Sequence, residues 1–236
     1  MAIKNIEIGN KKFTINYEIL NQKADVDVVF LHGWASNKEI MKQAFGATLN
    51  NYRHIYIDMP GFGKSPNEYV LKTIDYCNII ECFLKEIGAK KDIIVGHSFG
   101  GKVAALLNPN TLVLLSSAGI VENKPLDVKL KIATFKLLKK AGFGKFYGVF
   151  ASKDAKGMEK NMYETLKNVV DEDFTAIFAN FKNRAIIFWG EEDRATSLES
   201  GKKIASLIKQ SQFFPLSGDH FFFLKHANFI GEQVAK

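Results

Sequence analysis

Two cysteines, Cys77 and Cys82, are all that the 236 residues contain. They stand five apart in an apparent helix, a spacing that suits neither a zinc site nor a redox pair. Both read as reduced residues, which fits a cytoplasmic protein. No apolar run reaches the roughly 18–20 residues that a bilayer span needs. Met1 to Phe13 shows charge and alternation where an export signal would carry an apolar core. The expectation is a soluble, unexported chain with no membrane span. No cluster of His, Cys and acids has zinc-ligand spacing, so no metal site is expected. No zinc-finger, KH or RRM signature is present, which argues against a nucleic-acid partner. Internal repeats and low-complexity tracts are also lacking.

What is present suits one well-filled domain. Hydrophobic residues make up 47% and charged ones 24%, ordinary for a soluble globular chain. The length is near the upper end for a continuous core. The net charge of +7 is unevenly spread. Between Gly119 and Lys160 there are ten lysines against four acids, so nearly all the excess lies in one segment.

The elements follow from pattern. Ile6–Ile8, the turn pair Gly9–Asn10 and the alternating Phe13–Tyr17 read as a hairpin. Short β-rich runs follow at Val26–Leu31, Arg53–Ile57, Asp92–Val95, Thr111–Leu115, Ala185–Trp189 and Gln212–Leu216. Such mostly apolar runs suit strands buried on both faces. Helical stretches at Lys38–Leu49, Tyr69–Ile87, Phe99–Leu107, Leu198–Ile208 and Phe222–Val234 alternate with them. This order implies an α/β fold, a mostly parallel twisted sheet with helices on both faces. From about Gly119 to Asn183 the alternation stops and helical patterns take over, in a stretch too long for a loop. The expected organisation is a core of residues 1–118 and 184–236, with residues 119–183 inserted as a helical lid.

Gly96-His97-Ser98-Phe99-Gly100 matches G-x-S-x-G between a strand and a helix. At such an elbow a serine sits on a sharp turn with its hydroxyl lifted clear of the sheet, and first-turn helix amides favour a developing oxyanion. A serine needs a base. His220 follows the last strand through Ser217-Gly218-Asp219, at the edge where strand ends converge. His226 lies inside the closing helix, His54 opens a strand at the opposite edge, His32 opens a loop, and His97 points elsewhere on the turn. An imidazole base needs a carboxylate to hold its tautomer. Asp193, in Trp189-Gly190-Glu191-Glu192-Asp193, is preferred over Glu191 and Glu192, which lie closer to the strand end, and over Asp219, which would point away. The predicted catalytic set is Ser98, Asp193 and His220.

The chain order of these three resembles that of the α/β-hydrolase superfamily. His32-Gly33-Trp34 looks like the family's H-G-x segment, Asp58-Met59-Pro60-Gly61-Phe62-Gly63-Lys64-Ser65 like its D-x-P-G-x-G-x-S stretch, and Trp189-Gly190 through Asp193 like its W-G-x-x-D. The resemblance implies an oxyanion hole from the backbone N–H groups of Trp34 and Phe99, a serine esterase mechanism, and no cofactor. Trp34, Phe62, Phe99, Phe221 and the lid residue Phe135 are the expected substrate-binding side chains. The chain is also similar to two narrower groups. Carbon–carbon hydrolases of ring meta-cleavage products share the lid position and triad order, but usually carry Asn before the serine, where His97 stands, and Trp after the histidine, where Phe221 stands. Pimeloyl-carrier-protein methyl esterases share size, lid position and triad, and dock an acidic carrier through a basic lid. In the helical pattern Leu126–Ala141, Lys129, Lys136 and Lys140 form a row between two apolar faces, a candidate patch for an anionic partner. A catalytically silent ligand-binding module remains a reading of a different class.

Overall fold

The computed structural model describes residues 1–121 and 158–236. Strands β1 (Ala2–Ile8) and β2 (Lys11–Leu20) form the expected hairpin. Six further strands follow: β3 (Asp27–Leu31), β4 (Arg53–Ile57), β5 (Ile93–His97), β6 (Thr111–Leu115), β7 (Arg184–Gly190) and β8 (Ser211–Leu216). They join one eight-stranded sheet in the order β1-β2-β4-β3-β5-β6-β7-β8. The β1–β2 and β2–β4 pairs are antiparallel, and every pair from β4 to β8 is parallel. Burial follows the strand sequences. The apolar runs of β3 and β5 are buried at every position, whereas β1, at one edge, alternates and exposes Lys4's neighbours Ile3 and Asn5.

Helices α1 (Lys38–Phe45), α2 (Thr73–Glu86), α3 (Phe99–Leu107), α4 (Lys160–Val169), α5 (Thr175–Asn180), α6 (Leu198–Leu207) and α7 (Phe223–Val234) complete the described elements. Buried residues divide into two clusters, one on each face of the sheet. Phe30, Tyr56, Val95 and Phe188 pack with Met41 and Phe45 of α1 and with Phe223 and Ile230 of α7. Val29, Ile55, Ile94 and Leu114 pack with Ile80 and Phe83 of α2, Val103 of α3 and Ile204 of α6. Alternate side chains of each strand feed opposite faces, so a strand apolar throughout anchors two helical layers at once.

Several boundaries differ from the sequence expectation, and three of them have a local cause. The first helix stops at Phe45, because Thr48 Oγ1 donates to the Phe45 carbonyl and Leu49 turns left-handed at φ 50°. The second begins at Thr73, where Asp75 accepts a 2.7 Å bond from the Lys72 N–H. β5 does not break at Gly96 but pairs on through His97, opposite Leu115, so the turn falls two residues later, at Ser98. The predicted lid helix Leu126–Ala141, with Phe135, Lys129, Lys136 and Lys140, lies outside the described residues.

The strand order decides where a site can form. The chain leaves β3 towards β4 on one side and leaves β5 towards β6 on the other. Loops therefore diverge above the β3–β5 pair and leave a crevice at the C-terminal strand ends. The loop that opens with His32-Gly33-Trp34 and the turn at Ser98 face each other across it.

Candidate active site

Ser98 has φ 50° and ψ −114°, a strained backbone for a residue with a side chain. Surrounding bonds hold it there: its N–H donates to the Leu115 carbonyl at 3.1 Å, and its own carbonyl accepts from Gly101 and Ala118, each at 3.0 Å. The flanking glycines are required by contact. A Cβ on Gly100 would stand 2.5 Å from the Leu31 oxygen, and one on Gly96 would stand 2.5 Å from the Gly100 oxygen. Only bare backbone lets β3, β5 and α3 approach this closely. Ser98 itself is half-buried. Phe99 opens α3, so its N–H belongs to the first turn, whose amides have no intrahelical acceptor.

Asp193 and His220 are brought together from the ends of β7 and β8. His220 Nδ1 donates to Asp193 Oδ2 at 2.7 Å, with the carboxylate fully buried and the imidazole 17% exposed. Asp193 is tied further by the backbone N–H groups of Ala195 (2.8 Å) and Thr196 (3.0 Å) and by the Thr196 hydroxyl (3.0 Å). Burial alone would raise its pKa. The hydrogen bond from His220, those of Thr196 and Ser116, and the nearby imidazole outweigh that and hold the carboxyl at about 2. Asp193 is therefore ionised at neutral pH, as a partner for an imidazolium must be. Thr196 is a contributor that the sequence reading missed. Its signal was the Asp-x-Ala-Thr spacing of a side chain that folds onto amides two and three residues ahead.

The rival residues fall elsewhere. Asp219 Oδ1 caps the Phe221 N–H at 2.9 Å. Glu191 and Glu192 are exposed. His226 bonds the Ser217 carbonyl, and His54 bonds the Tyr56 hydroxyl and the Leu49 carbonyl. His97, one residue before Ser98, lies against the His220 ring with centroids 4.6 Å apart, which places the serine turn and the imidazole side by side. Among the described residues, His220 Nε2 and Ser98 Oγ make no hydrogen bond to each other. The Asp193–His220 link is formed, and the serine link is open.

Two buried histidines brace the surroundings. His32 Nδ1 donates to the Gly33 carbonyl at 2.7 Å, so its Nε2 accepts from the Met59 N–H at 3.1 Å. That ring joins the Gly33–Trp34 loop to the Asp58–Ser65 loop. Burial lowers its pKa to about 4, and that of His97 to about 3, so both are neutral. Beneath the Asp58–Ser65 loop, Asp58 accepts from Lys38 N (2.7 Å), Lys38 Nζ (2.8 Å) and Lys64 N (3.0 Å). Both Lys38 and Asp58 are about 1% exposed. On the far side of α3, buried Lys102 donates to the Val169 carbonyl at 2.5 Å and pairs with Glu172 at 3.5 Å, which ties the elbow helix to α4.

Of the aromatic residues named from sequence, Phe62 and Phe99 gather around Trp34. Its ring meets Phe62 at 4.8 Å and Phe99 at 5.5 Å, both edge-to-face. Phe62 and Phe99 are buried, while Phe221 is 41% exposed beside His220. A cavity of about 880 Å³ opens next to this cluster, between the Trp34–Asn37 loop, the Gly61–Glu68 loop and Met158, Glu159 and Met162. Trp34 and Phe62 line it, whereas Ser98, Phe99 and Phe221 do not. No group of three or more His, Cys, Asp or Glu among the described residues could hold a metal ion, and no described helix is long and apolar enough to cross a membrane.

A sheet switching direction at β3–β5, with an elbow serine at that point and an acid–imidazole pair beyond it, has known counterparts. The chain has the α/β-hydrolase fold. The family model described as alpha/beta hydrolase fold matches residues 28–110, the stretch that carries the Gly33–Trp34 loop and the elbow. Over 95% of the chain it is 23% identical to an uncharacterised hydrolase, YugF, of Bacillus subtilis, of which 96% is covered. Over shorter stretches, 36% of this chain and 33% of the relative in each case, two further similarities are found. One is a 2-succinyl-6-hydroxy-2,4-cyclohexadiene-1-carboxylate synthase of Citrobacter koseri, 33% identical, and the other a pimeloyl-[acyl-carrier protein] methyl ester esterase of Proteus mirabilis, 32% identical. A solved esterase from Thermogutta terrifontis superposes with a TM-score of 0.74 at 15% identity, covering 100% of this chain and 97% of that one. At that identity the likeness concerns the hydrolase fold alone.

Proposed function

We propose that this α/β-hydrolase cleaves a carboxylic ester or thioester of a small to medium acyl compound through a serine acyl-enzyme. The observation that carries the reading is the 2.7 Å His220–Asp193 bond, held beside the strained Ser98 turn. His220 Nε2 takes the Ser98 proton as the serine oxygen attacks the acyl carbon. Negative charge passes to the carbonyl oxygen, which the backbone N–H groups of Trp34 and Phe99 receive. The imidazolium, stabilised by ionised Asp193, returns its proton to the leaving alcohol or thiol as the acyl–oxygen or acyl–sulfur bond breaks. Water activated by His220 then releases the acid and regenerates Ser98. The open serine link closes as substrate orders the site, as catalytic hydrogen bonds commonly do on binding. No step calls for a metal or an organic cofactor. Residues 119–183 act as the lid in this reading, and Trp34, Phe62, Phe99, Phe221 and Phe135 shape the acyl site.

The test is a series of p-nitrophenyl esters of graded chain length, run beside a vinylogous diketone, with organophosphate labelling of Ser98. Ester turnover that S98A abolishes supports the reading. Faster cleavage of the diketone would move the chain to carbon–carbon hydrolysis. Neither labelling nor turnover would leave a binding module. The row Lys129, Lys136 and Lys140 is the part of the proposal that concerns an acidic carrier protein. Reversing the three to glutamate should lower catalytic efficiency towards a carrier-linked ester at low salt, and unchanged efficiency removes the carrier.

A further inference from the structure

His97 is 1% exposed at the end of β5, immediately before Ser98. Its Nε2 lies 2.9 Å from the backbone carbonyl oxygen of His220. A carbonyl only accepts, so Nε2 carries the proton and donates it. The opposite nitrogen, Nδ1, is buried without a partner. It faces Gly33, where an added Cβ would come within 2.9 Å of it and within 3.2 Å of Ser98 Cβ. One imidazole thus touches the Gly33–Trp34 loop on one side and the His220 loop on the other, and is bonded through the chain to the serine. A buried acceptor left unpaired opposes burial, and an apolar side chain of similar size would avoid it. The bond to His220 is what the imidazole adds.

The loop that carries His220 needs such a tie. It turns at Gly218, with φ 123°. Its other cross-links include the Glu192 N–H to the Gly218 carbonyl at 3.0 Å, His226 Nε2 to the Ser217 carbonyl at 2.9 Å, and the Nδ1–Asp193 bond itself, and none of these holds the His220 backbone directly. Asp193 fixes one end of the imidazole but not the height of the loop above Ser98. The His97 bond fixes the backbone from which the ring hangs, and fixes it to the residue beside the nucleophile.

The geometry points to His97 as the positioning residue of the base: its Nε2–H holds the His220 backbone so that the imidazole can meet Ser98. The kinetic consequence rests on the ester-hydrolase reading; the structural consequence does not. His97→Leu removes the donor and keeps the bulk. His97→Gln places an amide N–H where Nε2 stood. Each variant is compared with the wild type for ester kcat and KM, and for the downfield NMR signal of the His220 Nδ1 proton. In H97L, kcat falls on the order of 10²-fold, the scale expected when a catalytic group is misplaced by about 1 Å, with KM little changed. Its downfield signal broadens or is lost, and H97Q recovers both most of the rate and the signal. An H97L enzyme with an unshifted signal overturns the inference, as does one whose defect H97Q leaves unrepaired while both variants melt cooperatively. A wild type without ester turnover defeats the hydrolase reading instead, and the NMR comparison still decides the role of His97.

Discussion

His220 and Asp193, 27 residues apart in the chain, meet at 2.7 Å because parallel neighbours β7 and β8 end at the same edge of the sheet. Gly190 pairs with Leu216, so the two following loops start level and fold towards each other. With the carboxylate buried and ionised, replacing it has a defined effect. On the proposed ester-hydrolase mechanism, Asp193→Asn should leave the fold intact and lower ester kcat by about 10³–10⁴-fold, since the amide presents the wrong partner to Nδ1. Thr196→Val removes one donor and keeps the backbone ones, so a reduction of a few fold is expected. Steady-state kinetics beside thermal melts of both variants provide the check.

Mild acid should weaken the fold through His32 and His97. Their pKa values, about 4 and about 3, lie below the ordinary imidazole value because burial disfavours the cation. Between those values and about pH 6.5 the unfolded chain binds more protons than the folded one, so stability rises with pH across that window. On going from pH 7 to pH 5 each histidine should cost about 2 kcal/mol. Urea unfolding at the two pH values reads the loss, to which buried His54 adds in the same direction, and H97Q should remove the His97 share of about 2 kcal/mol. A pH-independent midpoint would contradict the buried neutral state.

Lys38 and Asp58 form a buried pair beneath the loop that carries Phe62. Removing Asp58 leaves the buried Lys38 ammonium only the half-exposed Glu39 carboxylate at 3.3 Å, and breaking such a buried pair typically costs about 3–5 kcal/mol. Asp58→Asn should therefore lower the thermal midpoint by roughly 10 °C, at the 2–4 °C per kcal/mol usual for this chain length. Calorimetry of D58N against the wild type measures it. Ester activity, if it survives, should show a raised KM, because the loop that braces Trp34 is released.

Gly100→Ala should be more damaging than its one carbon suggests. The new Cβ would meet the Leu31 oxygen at 2.5 Å and the His32 oxygen at 2.6 Å, both backbone atoms of the central strand region. Neither can move without parting β3 from β5. The expected outcome is a loss of about 3 kcal/mol, at the upper end of what overpacking typically costs, read from the urea midpoint or from failure to fold.

Patterning and local chemistry made much of this legible. The apolar runs of β3 and β5 permit little except strands buried on both faces, and Gly-His-Ser-Phe-Gly between a strand and a helix forces a tight turn, because only glycine tolerates the approach of neighbouring backbone. Candidate acid and base could also be named from their places after strands. Other features depend on which loops become neighbours. Nothing local to His97 indicates that its Nε2 reaches the His220 carbonyl 123 residues away, or that Lys38 finds Asp58.

The sequence by itself determined the type and order of the elements and offered candidates for nucleophile, base and acid, since periodicity, turn chemistry and side-chain chemistry are local properties. Tertiary structure alone decided the strand order that opens a crevice at β3–β5, the ionised state of Asp193 and the neutral state of the buried histidines. Those depend on desolvation and on partners brought from distant parts of the chain, and a charge or a hydrogen bond acts through space rather than along the sequence.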